Sequence, residues 1–264
     1  MSNVMAIYII WYRDILRFWR DRARLFTSFI QPFLFLVIFG TGLSASMRFA
    51  APDTGFDAIQ FMFPGIIAMV VLFTAIMSGV SIVWDREFGF LKEVLVAPVS
   101  RSAVALGKVL GGGTIAVIQG LVMLVFIPFA HVSLSVSSVF LLIALMLVTA
   151  FSLTAMGILI ASRIRTMESF QVVMQLLLFP MLFISPAFFP VQSMPAWLKT
   201  AVLFNPISYA IDAMRQAVLG AEYTASLGLE IAGHQLSIAL DVLLVALFGV
   251  LMVVLAVRSF SSQE

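Results

Sequence analysis

Residues 61–84 read Phe-Met-Phe-Pro-Gly-Ile-Ile-Ala-Met-Val-Val-Leu-Phe-Thr-Ala-Ile-Met-Ser-Gly-Val-Ser-Ile-Val-Trp, without one charged side chain. A helix crossing the hydrocarbon core needs roughly 20 apolar residues, so this run is long enough to span a bilayer. The rest of the chain has the same character. Of its 264 residues 62% are hydrophobic and 11% charged, and the mean hydropathy is +1.12. Soluble domains run near 45–50% apolar and about 25% charged, so a soluble enzyme is excluded. Disorder, which needs low hydrophobicity and high net charge, is excluded too. Cysteine is absent, which removes disulfides and thiolate metal sites. A net charge of +2, scattered along the chain, does not argue for nucleic acid.

Comparable runs, broken by charges or by Pro and Gly, place spans at Phe26–Met47, Phe61–Trp84, Lys108–Ala130, Ser138–Ser162, Phe170–Phe188 and Gln235–Val257. The short alternating segments of a barrel are missing. Lys and Arg in short loops set orientation. With the amino terminus inside, Arg13, Arg17, Arg20, Arg22, Arg24, Arg86, Lys92, Arg101, Lys108, Arg163, Arg165 and Arg258 are cytoplasmic, and Arg48, Lys199 and Arg215 lie outside. Both termini are therefore expected in the cytoplasm. The expected fold is an all-α polytopic membrane protein: a six-span domain over residues 26–264 after an interfacial helix over residues 1–25. No cleavable signal is expected, because the first basic residue, Arg13, follows the apolar start Val4–Trp11.

In that amino-terminal stretch Arg13, Arg17, Arg20 and Arg24 share a narrow sector at helical spacing, with Ile7, Trp11, Ile15 and Phe18 roughly opposite. The pattern predicts an amphipathic helix lying in the interface, its cations near anionic lipid headgroups. A plain positive-inside anchor is the blander reading.

Groups for catalysis are sparse. The histidines, His131 and His234, stand alone at span ends, and no His-Glu-x-x-His zinc pair occurs. Gly107-Lys108 is followed by Val109, with Ser102 where a phosphate-binding loop needs its first Gly, so the chain carries no ATP-binding loop of its own. Gly107 and Gly111 have the spacing of a close helix contact. One ionisable residue lies within a span, Asp241, which is the residue a proton or sodium path would use.

Two connecting segments hold more than a turn requires. After residue 84 comes Asp-Arg-Glu-Phe-Gly-Phe-Leu-Lys-Glu-Val-Leu-Val-Ala-Pro-Val-Ser-Arg, ending at Arg101. Glu87 to Val96 is helix-compatible, Leu91 and Leu95 share a face, and Pro98 ends the run. Such a short mixed-charge helix suits docking of a soluble partner. Phe188–His234 carries Phe188-Phe189-Pro190, Met194-Pro195-Ala196-Trp197-Leu198 and Asn205-Pro206, with Tyr209, Asp212 and Arg215 beyond. Its punctuation predicts helices too short to span, either interfacial or re-entrant. Asp212 and Arg215, at i, i+3, read either as an internal ion pair or as lining for the exit of a transport route.

At these two segments the sequence resembles the ABC-2 type permeases, the membrane subunits of bacterial and archaeal ABC exporters, and within them the daunorubicin-resistance and related multidrug permeases. The family pattern after the second span is matched by Glu87, Gly89, Leu91, Pro98, Val99, Ser100, Arg101, Gly107 and Lys108. The later pattern is matched by Phe188 to Pro190, Met194 to Leu198, Asn205, Pro206, Tyr209 and Arg215. Phe63-Pro64-Gly65 departs mildly from the usual Leu-Pro-Gly.

The resemblance implies six spans, re-entrant helices between spans five and six, and a location in a prokaryotic inner membrane. It also implies pairing with a second copy or a paralogous permease. ATP and magnesium would be bound by a separate ATPase subunit, with no cofactor or metal on this chain. Docking of that subunit would fall to Glu87, Gly89, Leu91, Lys92, Leu95, Pro98 and Arg101, helped by the amino-terminal helix with Trp11, Arg13, Arg17, Arg20 and Arg24. Phe189, Pro190, Pro195, Trp197, Asn205, Pro206, Tyr209, Asp212 and Arg215 would stand over the exit. Substrates would be hydrophobic drugs, lipids or lipid-linked glycans. An ion-coupled transporter or channel using Asp241 is the alternative from another class, and an assembly factor that merely recruits an ATPase is a third.

Overall fold

In a computed structural model the chain is described over residues 3–50, 58–88, 100–130, 132, 134–231 and 233–261. The helices are α1 (Asn3–Arg20), α2 (Arg22–Ala50), α3 (Ala58–Met77), α4 (Val80–Glu87), α5 (Arg101–Met123), α6 (Val136–Arg163), α7 (Met167–Phe183), α8 (Ala196–Leu203), α9 (Pro206–Leu227) and α10 (Ile238–Ser261). Between α9 and α10 a minimal antiparallel hairpin pairs β1 (Glu230–Ile231) with β2 (His234–Gln235). Among the described residues five helical stretches are long and apolar enough to cross a membrane: Leu25–Gly42, Ile59–Glu87, Arg101–Phe126, Val136–Arg163 and Ile238–Phe260. The protein is a multi-pass membrane protein. The expected fifth span is the shorter apolar helix α7, which ends at Phe183 and passes into turns.

The boundaries follow local chemistry. Ser100 caps α5, its hydroxyl accepting from the Ala103 N–H, so this helix starts well before the expected Lys108. Ser135 and Thr166 cap α6 and α7 in the same way. The expected second span is two helices. At Ser78-Gly79 the backbone tightens to i→i−3 bonds, Gly79 N–H to the Ile76 carbonyl at 3.2 Å, while the Ser78 hydroxyl donates to the Ala75 carbonyl at 2.6 Å. Asn205 caps α9, with Pro206 in its first turn. That helix is longer than the sequence pattern suggests and breaks at Gly220, whose φ of 76° suits glycine.

Helix α6 is the central post, packed against α10, α5 and α3; α1 lies along α5, and α9 packs against α10, α3 and α6. Phe61, Phe63, Ile66, Ile67, Leu72 and Ile76 of α3 are fully buried. Helix α10 instead exposes Leu243, Leu247, Val250 and Leu251, as a helix bathed in lipid should. No hydrophobic force draws helices together in lipid, so close contact through small residues matters more. A Cβ added at Gly157 of α6 would sit 2.3 Å from the Ile76 carbonyl oxygen, and one at Gly79 would sit 2.6 Å from the Gly157 carbonyl oxygen. These two glycines are the contact between α6 and the α3–α4 bend.

Replacing Gly157 by Val should therefore force that seam apart and cost about 1–3 kcal/mol. Thermal unfolding of the purified protein in detergent checks this. Gly42→Ala, where an added Cβ meets nothing within 4 Å, should leave the unfolding temperature unchanged or raise it.

Candidate functional site

The last turn of α4 holds three successive charged residues, and each reaches a different element. Asp85 accepts from Lys108 Nζ of α5 at 3.0 Å and from Arg13 Nη2 of α1 at 3.2 Å. Asp14 of α1 completes the ring, 3.5 Å from both cations. Lys108 is 4% exposed, two turns inside α5, and also donates to the Ser81 hydroxyl at 3.0 Å. A lysine buried at this depth is tolerable because two carboxylates meet it. Arg86 turns the other way. Its Nη1 donates to the Ile164 carbonyl at 2.5 Å and its Nη2 to the Ser162 carbonyl at 3.0 Å, both at the end of α6 where carbonyls lack helical partners. Glu87 accepts the Met167 N–H at 3.2 Å, placing an anion at the amino-terminal end of α7.

Helix α1 is held as firmly. An added Cβ at Gly107 would meet Ile10 at 2.9 Å, and one at Gly111 would meet Asp14 at 3.1 Å. The Gly107/Gly111 spacing thus packs against the amino-terminal helix. Trp11 Nε1 donates to the Thr114 hydroxyl at 3.1 Å, and the Arg17 guanidinium lies 4.7 Å above the Trp84 ring. Two of the arginines expected at lipid headgroups, Arg13 and Arg17, therefore engage the protein; Arg20 is exposed. Arg24 belongs to α2, its side chain outside the described residues, as are Gly89, Leu91, Lys92, Leu95 and Pro98. Arg101 is the first residue of α5.

The opposite end of the bundle, at the start of α3, has its own polar cluster. Arg215 of α9 is fully buried. Its Nε donates to the Phe61 carbonyl at 3.0 Å, its Nη2 to the Ala187 carbonyl at 2.7 Å, and its guanidinium lies 3.7 Å from the Phe61 ring centre. Asp212 turns to other donors: the Tyr223 hydroxyl at 2.8 Å, the Gln216 amide at 2.8 Å and the Leu229 N–H at 3.2 Å. The i, i+3 spacing brings the two onto one helix without making a direct ion pair, because Arg215 is held on backbone carbonyls. The Gln216 amide also donates to Asp241 at 3.1 Å. Asp241 sits in the first turn of α10, nearer the helix end than its place in the sequence run suggests. Asn205 donates to the Met181 carbonyl at 2.6 Å, fixing the start of α9 to α7, and the Tyr209 hydroxyl donates to the Leu203 carbonyl. Burial, with the Asp241 carboxylate adding to it, raises the Tyr209 phenol above its ordinary range. Phe189, Pro195 and Trp197 are exposed, and Pro190 and Pro206 are half-buried. Of the residues expected at an exit, then, Asn205, Asp212 and Arg215 face the protein interior and Phe189 and Trp197 its surface.

Between these ends a cavity of about 200 Å³ opens among α2, α3 and α5. Its wall is apolar, Met69, Val70 and Phe73 among others, apart from Thr27, Gln31, Thr74 and Gln119, and the Thr74 hydroxyl donates to the Gln119 side-chain carbonyl. Among the described residues no group of three or more metal-ligating side chains converges. Asp85, Arg86 and Lys108 escaped the motif reading as a unit because their partners lie on four helices.

Comparison with known proteins agrees with this architecture. The family model described as ABC-2 type transporter matches residues 5–219. The transport permease ycf38 of Pyropia yezoensis is 33% identical over 227 residues, covering 81% of this chain and 74% of the relative. The inner membrane transport permease YadH of Escherichia coli K12 is 28% identical over 256 residues, covering 94% of this chain and 90% of its own. A multidrug ABC transporter permease of the same organism, YbhR, is 28% identical over 164 residues, 62% of this chain and 45% of its own length.

Replacing Arg215 by Met should strip two buried carbonyls of their donor, at about 1–3 kcal/mol each. The expected readout is a lower unfolding temperature together with faster proteolysis between residues 184 and 195, which the Ala187 bond anchors. Arg20→Ala, at an exposed site, should change neither.

Proposed function

The chain belongs to the ABC-2 type transporter family, and on that footing we propose that it is the membrane subunit of an ATP-driven exporter of hydrophobic or amphipathic molecules. The observation that carries this reading is the convergence at Asp85, Arg86 and Glu87. The segment 89–99 follows in sequence on a helix end whose residues 85–87 are bonded to α1, α5, the end of α6 and the start of α7. A partner that docks on that segment pulls on all of them at once. With no phosphate-binding loop in its sequence, the chain leaves ATP and magnesium to a separate ATPase subunit, and Glu87, Gly89, Leu91, Lys92, Leu95, Pro98 and Arg101 are its docking residues. Two copies, or this chain and a paralogous permease, complete the membrane part. Both termini and the segment 89–99 face the cytoplasm of a prokaryotic cell, which accords with the distribution of Lys and Arg.

In this mechanism ATP binding closes the ATPase pair and shifts the docked segment, and the bundle responds as a rigid body against its partner. The cavity among α2, α3 and α5 supports an amphipathic substrate: apolar walls accept its body, while Gln31, Thr74 and Gln119 offer hydrogen bonds to its polar group. Release passes beneath the segment from Phe189 to Arg215, with Pro190, Pro195, Trp197, Asn205, Pro206, Tyr209 and Asp212 along it. An ion-coupled transporter is the second reading, favoured by the buried carboxylate of Asp241. Gradient-driven transport by the isolated chain in liposomes would support it and overturn the first.

Coupling is tested by Glu87→Gln and Leu91→Ala in the permease reconstituted with its ATPase. Export should fall at least about tenfold, a loss of about 1.4 kcal/mol of coupling, while ATP hydrolysis persists and the unfolding temperature stays near wild type. Full ATP-driven export by both variants would remove the docking assignment.

A further inference from the structure

The cluster joining α9 to α10 is short of positive charge. Asp212 and Asp241 are both fully buried. The nearest guanidinium, Arg215, donates to the carbonyls of Phe61 and Ala187, and its remaining Nη1 has no partner among the described residues. The two carboxylates share the single amide nitrogen of Gln216, 2.8 Å from Asp212 Oδ2 and 3.1 Å from Asp241 Oδ2. That nitrogen also lies 3.2 Å from the Leu236 carbonyl oxygen. It has two hydrogens for three acceptors. Tyr223 and Leu229 both serve Asp212 Oδ1, which leaves Asp241 Oδ1 buried and without a partner. The hydroxyl of Ser208, one turn before Asp212, is likewise buried and unpartnered.

Two buried anions with one cation nearby leave a single negative charge uncompensated, a state proteins avoid. Among the described residues no other element supplies the balance: Lys199 of α8 and Glu168 of α7 are exposed. Helix α3 carries no charged residue, and those of α5 and α6, Arg101, Lys108 and Arg163, lie at the far end of the bundle with Arg258 of α10. Glu230 and His234 of the hairpin are exposed, and Tyr209 and Tyr223 of α9 are neutral phenols.

We propose that the Asp212–Gln216–Asp241 cluster is a binding site for one small monovalent cation, a proton or an alkali-metal ion, held between the two carboxylates. A divalent ion would overshoot the balance, since one uncompensated negative charge calls for one positive charge. Occupancy ties α9 to α10; when the cation leaves, the carboxylates repel across that seam and the Gln216 bridge loosens. The site requires no movement of the ion across the membrane, so it stands whether or not transport is driven by ATP.

The test uses the full chain in detergent or nanodiscs, comparing wild type with Asp241→Asn and Asp212→Asn. Unfolding temperature is followed between about pH 5.5 and about pH 8.5, and at fixed pH in sodium, lithium or choline chloride of equal ionic strength. If the folded state alone holds the cation, stability falls as that cation is removed. A proton appears as a loss of about 3 °C or more on raising the pH. An alkali ion appears as a gain of that size in sodium or lithium over choline. Either response should flatten in both variants. A wild type that responds no more than the variants in both arms overturns the proposal. Should the variants not fold, infrared difference spectra of the wild type decide: a carboxyl or carboxylate band that changes in neither titration overturns it equally.

Discussion

A charge inside a bilayer must find its counter-charge within the protein, and most of this architecture depends on how Asp85 and Lys108 meet that demand. Carrying Lys108 alone into hydrocarbon would cost about 2.5–3.5 kcal/mol on insertion scales. With Asp85 at 3.0 Å and Asp14 at 3.5 Å, the lysine can lie two turns inside α5. The same ring fixes α1, which supplies Arg13 and Asp14, and α4, which supplies Asp85. Glycines 107 and 111 then let α1 approach α5 closely enough for the ring to close. Position in sequence and balance of charge are thus one constraint.

The two ends of the bundle answer that constraint differently. At the α4 end two cations face two carboxylates, and Arg86 and Glu87 are satisfied by backbone groups at helix termini. At the α9 end one arginine is taken up by backbone carbonyls while two carboxylates share an amide. The first arrangement is closed and firm. The second keeps α9, α10 and the turns after α7 in contact through bonds that depend on what compensates Asp241. Between them the seam of Gly157 and Gly79 is packed backbone to backbone, which transmits displacement with little give.

Hydrophobic run length made the apolar spans legible, since lipid imposes it directly, but the caps at Ser100 and Ser135 went unread, so α5 was expected to begin only at Lys108 and α6 at Ser138. The family motifs singled out the two connecting segments, of which residues 89–99 lie outside the described residues. Periodicity alone misplaced the partners of charged residues. Arg13 and Arg17 form a stripe that reads as headgroup-facing, yet Asp85 and Trp84 come from a helix some seventy residues away. Asp212 and Arg215 read as a pair by spacing, yet Phe61 and Ala187 offered Arg215 carbonyls that no helical wheel can reveal. The break at Ser78-Gly79 was hidden because serine and glycine interrupt neither hydropathy nor charge. Long-range pairing was illegible; local propensity was not.

The bonds at the end of α4 also constrain how any displacement of the segment 89–99 can spread. Moving α4 relative to its neighbours would break the Asp85 ion pairs, the two Arg86 bonds and the Glu87 bond together. Hydrogen bonds to charged groups contribute about 1.5–3 kcal/mol each, so their joint loss would exceed what one docking contact returns. Bending at Ser78-Gly79 is the other local route, because i→i−3 bonds have poorer geometry than α-helical ones. There, however, Gly79 lies against the Gly157 carbonyl, and a bend in that direction meets backbone. The least costly response is for α1, α4, α5, α6 and α10 to move as one body, since α10 is packed along α6, leaving the change of contact to α2, which meets the bundle mainly through α3 and exposes Phe26, Ile30, Leu34 and Ile38.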